Sequence, residues 1–201
     1  MNIRLQHDLE FIGGIYFEDT LQLNYYSVVL QVVTKTSNSV EINIAWDRLK
    51  AFVYGELINT VFINQAQQEQ AEMFSMLGVN VTTLPEDPVD QIIGQMLMCK
   101  INAIFEGRLQ VTQLDISSSL GDDVWFLLED EEGLGVFEQP GWWHEPTVKH
   151  SNLNIEKSCD NVVKVLPSAW VEYGLTWPDP VDKTPKKSQT VVYAKFPKNE
   201  N

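Results

Sequence analysis

The chain has 201 residues, 44% hydrophobic and 10% aromatic, with 28 acidic against 14 basic residues and a formal net charge of -14. This composition suits one packed domain, or one domain with an appendage, and excludes a disordered chain. The charge disfavours nucleic acid and anionic membrane as direct partners and favours a basic protein surface.

At the N-terminus, Arg4, His7, Asp8 and Glu10 interrupt any signal-peptide run. Nowhere does the chain approach the roughly 18 unbroken apolar residues of a membrane span. A soluble, cytoplasmic protein is expected, for which the Asn80-Val81-Thr82 sequon has no use.

Phe11 to Phe17 and Leu21 to Val33 read as strands joined by the polar turn Glu18-Asp19-Thr20. Leu21, Leu23 and Tyr25 alternate with polar residues, the period of a half-buried strand. From Ser27 both faces turn apolar, which predicts entry into a covered interior. Gly13-Gly14 predicts a bulge or a close backbone approach, since no helix start or Lys follows at phosphate-loop spacing.

A helix is expected from Val40 to Ile58, with Trp46, Leu49, Val53 and Leu57 on one stripe. A shorter one is expected within Asn64 to Leu77, closed by Gly78. Val79 to Leu84 reads as a brief strand. Asp87, Pro88 and Asp90 then suit cap, first turn and dipole of a helix running to about Phe105. Gly94 within it allows another backbone to come close.

Arg108 to Ile116 reads as a strand whose apolar parity switches, predicting a bulge near Thr112-Gln113. Val124 to Leu128 is its antiparallel partner. Val162 to Leu166 and Thr190 to Phe196 are further short strands, beyond which nothing repeats. Together these elements predict an α+β fold: a mixed, mainly antiparallel sheet with two to three helices packed on one face. Residues 1–177 form a single domain, and 178–201 a Pro- and Lys-containing extension with an edge strand.

The acids concentrate in Asp122, Asp123, Glu129, Asp130, Glu131, Glu132 and Glu138, and no Lys or Arg lies between Arg108 and Lys149. Interleaved apolar residues such as Trp125, Leu127 and Phe137 argue for folded structure with an acidic face. One reading is a solvated hairpin tip; the other is a face for a basic partner. Screening confines its reach to about 8 Å at physiological ionic strength, so the second requires direct contact. Trp142 and Trp143, between Pro140-Gly141 and Pro146, either seal the core or anchor an interface or a sugar ring. Being adjacent, they are expected to point apart, one packed and one partly exposed.

Signatures of chemistry are missing. Gly121-Asp122-Asp123 has the look of a polymerase metal pair, but the chain is too short and the surroundings too acidic. Glu129 to Glu132 do not match a calcium loop. His144, His150, Glu145 and Cys159 lack zinc-site spacing, and Cys99 sits in a helical pattern as a buried thiol. Ser117 to Ser119 lack a nucleophile-elbow context. An enzyme with a scattered site predicts a deep pocket where Asp115 or Glu106 meets His144. No cofactor or metal is expected, nor a catalytic residue.

Three segments carry a resemblance: Pro85-Glu86-Asp87-Pro88-Val89-Asp90-Gln91-Ile92-Ile93-Gly94, Glu106-Gly107-Arg108, and Gly121-Asp122 followed by Trp125. This region, Leu84 to Trp125, resembles small acidic proteins of large tailed bacteriophages. The resemblance implies a phage product acting in the bacterial cytoplasm or built into the virion, and carries over no site residue. The expected function is that of a non-enzymatic acidic binding protein, with Asp122, Asp123, Glu129, Asp130, Glu131, Glu132, Glu138, Trp142 and Trp143 as its contact residues. In its sharpest form it is a phage inhibitor of a host nucleic-acid-handling or defence protein. The alternative is a structural or assembly component, for which a homo-oligomer is compatible.

Overall fold

The computed structural model describes residues 3–122, 124–129, 134–151, 153 and 170–178. Strands β1 (Arg4–Phe17) and β2 (Thr20–Thr34) form a long hairpin in which Phe17 pairs with Thr20. Its two linking residues, Glu18 and Asp19, both take left-handed φ values, 47° and 57°. That is the geometry a two-residue hairpin needs to match strand twist.

Helix α1 (Ser39–Ala51) starts where the Asn38 side chain accepts a hydrogen bond from the Val40 N–H at 3.0 Å. It runs on into a π-helical turn, Phe52–Leu57, so the expected helix of 40–58 is one continuous body of two helical types. Strand β3 (Val61–Asn64), which the sequence reading did not anticipate, lies parallel to β1, with Gly14 opposite Val61. Helix α2 (Gln68–Met76) leads to β4 (Val81–Leu84), parallel to β3.

Helix α3 (Asp90–Phe105) has Val89 rather than Asp87 at its cap, with no side-chain capping bond. Asp87 is engaged elsewhere: it accepts from Asn64 Nδ2 at 2.8 Å and ties the ends of β3 and β4 together. The helix ends at Glu106-Gly107, both with left-handed φ, as expected. Strands β5 (Leu109–Ser118) and β6 (Phe126–Glu129) complete a six-stranded sheet of order β4-β3-β1-β2-β5-β6. Between β2 and β5 the register steps from Gln31–Gln113 to Val32–Val111, so Thr112 is the extra residue of the predicted bulge.

The fold is α+β, its sheet antiparallel from β1 through β2, β5 and β6 and parallel at β1–β3–β4. Helices α1 and α3 pack on one face, over a core that includes Phe11, Tyr26, Leu30, Phe62, Leu97 and Leu114. Helix α2 belongs to the other face. Phe62 joins the main core while its neighbour Ile63 joins a separate small cluster with Ala71, Val81, Tyr16 and Phe74, as opposite strand parity requires.

Two glycines set the distances between layers. A Cβ on Gly94 would lie 2.7 Å from Leu128 and 2.8 Å from Ile116, so α3 rests its backbone on the β5–β6 surface. A Cβ on Gly13 would lie 2.8 Å from the Phe62 ring, which is the close approach predicted there. Among the described residues no helix is long and apolar enough to cross a membrane. The expected strands at 162–166 and 190–196, and the extension from 179 on, lie outside the described residues.

Candidate binding face

With α1 and α3 on one side and α2 covering only the β3–β4 end, no helix among the described residues lies over the outer face of β1, β2, β5 and β6. Strand parity decides what it shows. Leu9 and Phe11 of β1 and Tyr26, Val28 and Leu30 of β2 point into the core. Their alternates Asp8, Glu10, Ile12, Leu23, Tyr25, Ser27 and Val29 therefore point outward.

The register arranges these side chains in rows across the sheet. Asp8 stands opposite Val29, Val29 opposite Asp115, and Asp115 opposite Leu127. At strand spacing, the Asp8 and Asp115 backbones are about 10 Å apart. The next row toward the chain's start is Gln6, Gln31, Gln113 and Glu129. The row on the other side is Glu10, Ser27 and Ser117, followed by Ile12 and Tyr25, then Gly14 and Leu23. The face thus grades from carboxylates and amides at one end to exposed apolar side chains at the other, where Leu23 is 76% exposed. Arg4 is the single Lys or Arg in these four strands.

Local contacts hold the acids in place. Gln113 Nε2 donates to Asp115 at 2.8 Å and Gln6 Nε2 to Asp8 at 3.3 Å, both pairs two residues apart on one strand face. The Glu10 carboxylate, on the same face as Tyr25, holds the Tyr25 hydroxyl's pKa above its ordinary value. After Ser27 the inner side chains Val28, Leu30 and Val32 are buried as expected, whereas Val29 and Val33 on the outer side are half-buried, with no helix over them among the described residues.

The sequence-predicted contact residues divide. Glu129 sits on the outer face at the end of β6, exposed. Asp122 is exposed in the β5–β6 connection with φ of 51°, and Glu138 is exposed at the end of a 3-10 turn. Asp123, Asp130, Glu131 and Glu132 lie outside the described residues. Trp142 and Trp143 require a correction, because neither indole is exposed: they are 0% and 3% accessible. Trp142 Nε1 donates to the Thr83 carbonyl at 2.9 Å, and Trp143 Nε1 to those of Phe137 and Gln139. They seal the core and cover the β4 edge; they are not surface anchors.

The scattered enzyme site also dissolves. Asp115 lies on the outer face, Glu106 pairs with Arg48 at 2.6 Å, and His144 Nε2 contacts the Phe137 carbonyl at 2.7 Å. His150 lies between Thr82 and the buried Glu56, which also accepts from Tyr173, so this network straps residues 150 and 173 onto the π-helical turn. Among the described residues no group of three His, Cys, Asp or Glu could hold a metal. Asp8 and Glu10 were missed because the first strand was expected to begin at Phe11. The alternation of Leu5, Leu9 and Phe11 with Gln6, Asp8 and Glu10 carried the signal.

No family model and no curated protein matches the chain. Among solved structures, an uncharacterized protein WS1659 from Wolinella succinogenes is similar with a TM-score of 0.47 and 10% identity, covering 65% of this chain and 99% of that one. A catalytic-residue mutant of Plasmodium vivax 6-pyruvoyltetrahydropterin synthase has a TM-score of 0.41 and 11% identity over 64% of this chain and 97% of its own. The Plasmodium falciparum enzyme has 0.41 and 13%, over 63% and 96%. At TM-scores below 0.5 and identities this low, none of them lends this chain an activity.

Proposed function

We propose that the chain is a protein-binding module that presents the open face of its sheet to a basic partner. The row Asp8–Val29–Asp115–Leu127 supports this most directly, since it sets two carboxylates beside apolar side chains on a face that no helix among the described residues covers. An acidic field steers a basic surface into contact, and the neighbouring Ile12, Leu23, Tyr25 and Leu127 supply apolar area to bury once contact is made. Its finer form is a phage-encoded inhibitor that occupies the nucleic-acid-binding surface of a host protein; the sign of the charge supports that reading, and the same sign disfavours nucleic acid itself.

The test is affinity capture from bacterial lysate with wild type and with the triple variant Asp8→Lys, Asp115→Lys, Glu129→Lys. The reading expects one basic protein held at low salt by wild type, released at high salt and not retained by the variant. Cross-links to that protein are expected on β1, β2 and β5. Capture that charge reversal and salt leave unchanged sinks it.

A further inference from the structure

We infer that the cavity at the hairpin end of the sheet is a binding site for a small primary amine carried on an aromatic ring, with its ammonium held by Asp90. Strand parity puts Ile15 and Phe17 of β1, Ser118 of β5 and Phe126 of β6 on the helix side of the sheet, so the site is distinct from the outer face. Helix α3 begins only at Asp90, which leaves a space of about 350 Å³ at this end of the layer, at the low end of small-molecule sites. Ile15, Phe17, Val89, Leu120 and Phe126 give it apolar walls, and Asp90 and Ser118 stand at its polar end.

Asp90 is 7% exposed. No Lys or Arg lines the cavity, and none pairs with Asp90 among the described residues. Its two carboxylate oxygens are placed differently. Oδ2 accepts from Ser118 Oγ at 2.7 Å and is backed by Gly121, where a Cβ would lie 2.6 Å away. Oδ1 has no hydrogen-bond partner among the described residues, yet it is not among the buried polar atoms sealed from solvent. With Oδ2 closed off, Oδ1 is the oxygen that the carboxylate presents to the cavity. Burial raises the Asp90 pKa, only partly offset by the Ser118 hydrogen bond, so the charged form is under-compensated where it stands.

A desolvated carboxylate without a counter-charge is costly, and a cation delivered to its open oxygen offsets that cost. The arrangement also selects the kind of cation. A guanidinium or amidinium fork needs both oxygens side by side, and here one is occupied. An ammonium is a compact point charge with three donors: one suits Asp90 Oδ1, and a second suits the lone pairs that Ser118 Oγ keeps after donating its proton. The apolar walls then take an aromatic ring on a short stem.

The experiment is isothermal titration of the full chain with 2-phenylethylamine and with its neutral isostere 2-phenylethanol. Because a chain of net charge -14 attracts any cation, the titrations run at physiological ionic strength. Glu69→Gln, which removes an exposed acid of α2, serves as the control for charge alone. The amine is expected to bind wild type and the control alike. The alcohol on wild type, and the amine on Asp90→Asn, are each expected to bind about tenfold or more weakly, the loss of one charged hydrogen bond. Val89→Trp, at a wall position that is 52% exposed, is expected to abolish binding by filling the space without disturbing the core, and it decides the matter if Asp90→Asn does not fold. Four results each overturn the inference: no amine binding at millimolar concentration, equal binding of amine and alcohol, full affinity in a natively folded Asp90→Asn protein, or full affinity in a natively folded Val89→Trp protein.

Discussion

Lys100 Nζ lies 3.1 Å from the main-chain carbonyl oxygen of Trp142 and 2.9 Å from that of Glu145, in a side chain that is wholly buried. Two carbonyls need two donors, which a neutral amine supplies as well as an ammonium. Burial, against the partial help of the Glu145 charge, lowers the Lys100 pKa from 10.5 to about 7. The unfolded chain therefore binds more protons than the folded one above pH 7, and stability rises with pH there, by up to about 1.4 kcal/mol per unit. Burial also pushes the neighbouring Cys99 thiol up from 9.0 to about 12. Above pH 9 the unfolded state loses that proton first, which cancels the gain. Urea unfolding is expected to show stability climbing between pH 7 and 9 and levelling above. Lys100→Met, though less stable for leaving two carbonyls unpaired, is expected to lose the climb. An unaltered climb in that variant assigns it to another group.

Gly94 tests the contact between helix and sheet. In an exposed helix, Gly→Ala gains about 1 kcal/mol of helix propensity. Here the added methyl would lie 2.8 Å from Ile116 Cγ2, a β-branched atom that cannot swing aside, and 2.7 Å from Leu128 Cδ1. Overpacking costs about 1–3 kcal/mol, which outweighs the propensity gain. Gly94→Ala is expected to lower the chemical-denaturation midpoint. A rise would mean that α3 stands off the sheet further than its backbone position indicates.

The sheet and its helices were legible where period and punctuation agreed: the hairpin around Glu18-Asp19, the Thr112 bulge, the end of α3 at Glu106-Gly107. Strand β3 was not, because four residues, Val61 to Asn64, are too short for a period and become a strand only by pairing beside β1. The cap at Asp87 failed because a side chain suited to capping found a tertiary partner, Asn64, in its place. For the site, acids adjacent in sequence drew attention to 122–138. The open face adds to Glu129 the carboxylates Asp8, Glu10 and Asp115 from strands far apart in the chain, a proximity that only sheet register creates. Two neighbouring tryptophans resembled an exposed anchor, yet each indole N–H finds a main-chain carbonyl and both are covered.

Trp142 measures how firmly the segment after β6 is fastened to the β4 edge. Trp142→Phe keeps most of the apolar area but leaves the Thr83 carbonyl without its 2.9 Å donor. Losing one such hydrogen bond costs about 0.5–1.5 kcal/mol, so a loss in that range is expected by denaturant unfolding, together with faster amide exchange in β4. Trp142→Ala adds a cavity and is expected to cost about 3–5 kcal/mol. Exchange in β4 that stays at the wild-type rate in Trp142→Phe would show the edge to be held by other contacts.

Arg48 does for residues 170–178 what Trp142 does for β4. Its Nε donates to the Leu175 carbonyl at 2.8 Å and its Nη1 to Glu106 at 2.6 Å, while the guanidinium stacks 3.9 Å from the Trp177 ring centroid and 4.9 Å from that of Trp170. One planar fork thus joins α1, the end of α3 and a segment 127 residues further along the chain. A lysine keeps the charge but reaches one partner as a point donor and cannot stack flat between indoles. Arg48→Lys is expected to cost about 2–3 kcal/mol, since breaking a charged hydrogen-bond network strands the remaining members. The loss is local in origin, so limited proteolysis is expected to cut within 170–178 before the sheet unfolds. Tryptophan fluorescence is expected to shift red as Trp170 and Trp177 gain water. Cleavage there no faster than in wild type would transfer the fastening to the Glu56–Tyr173 bond, which the lysine leaves intact.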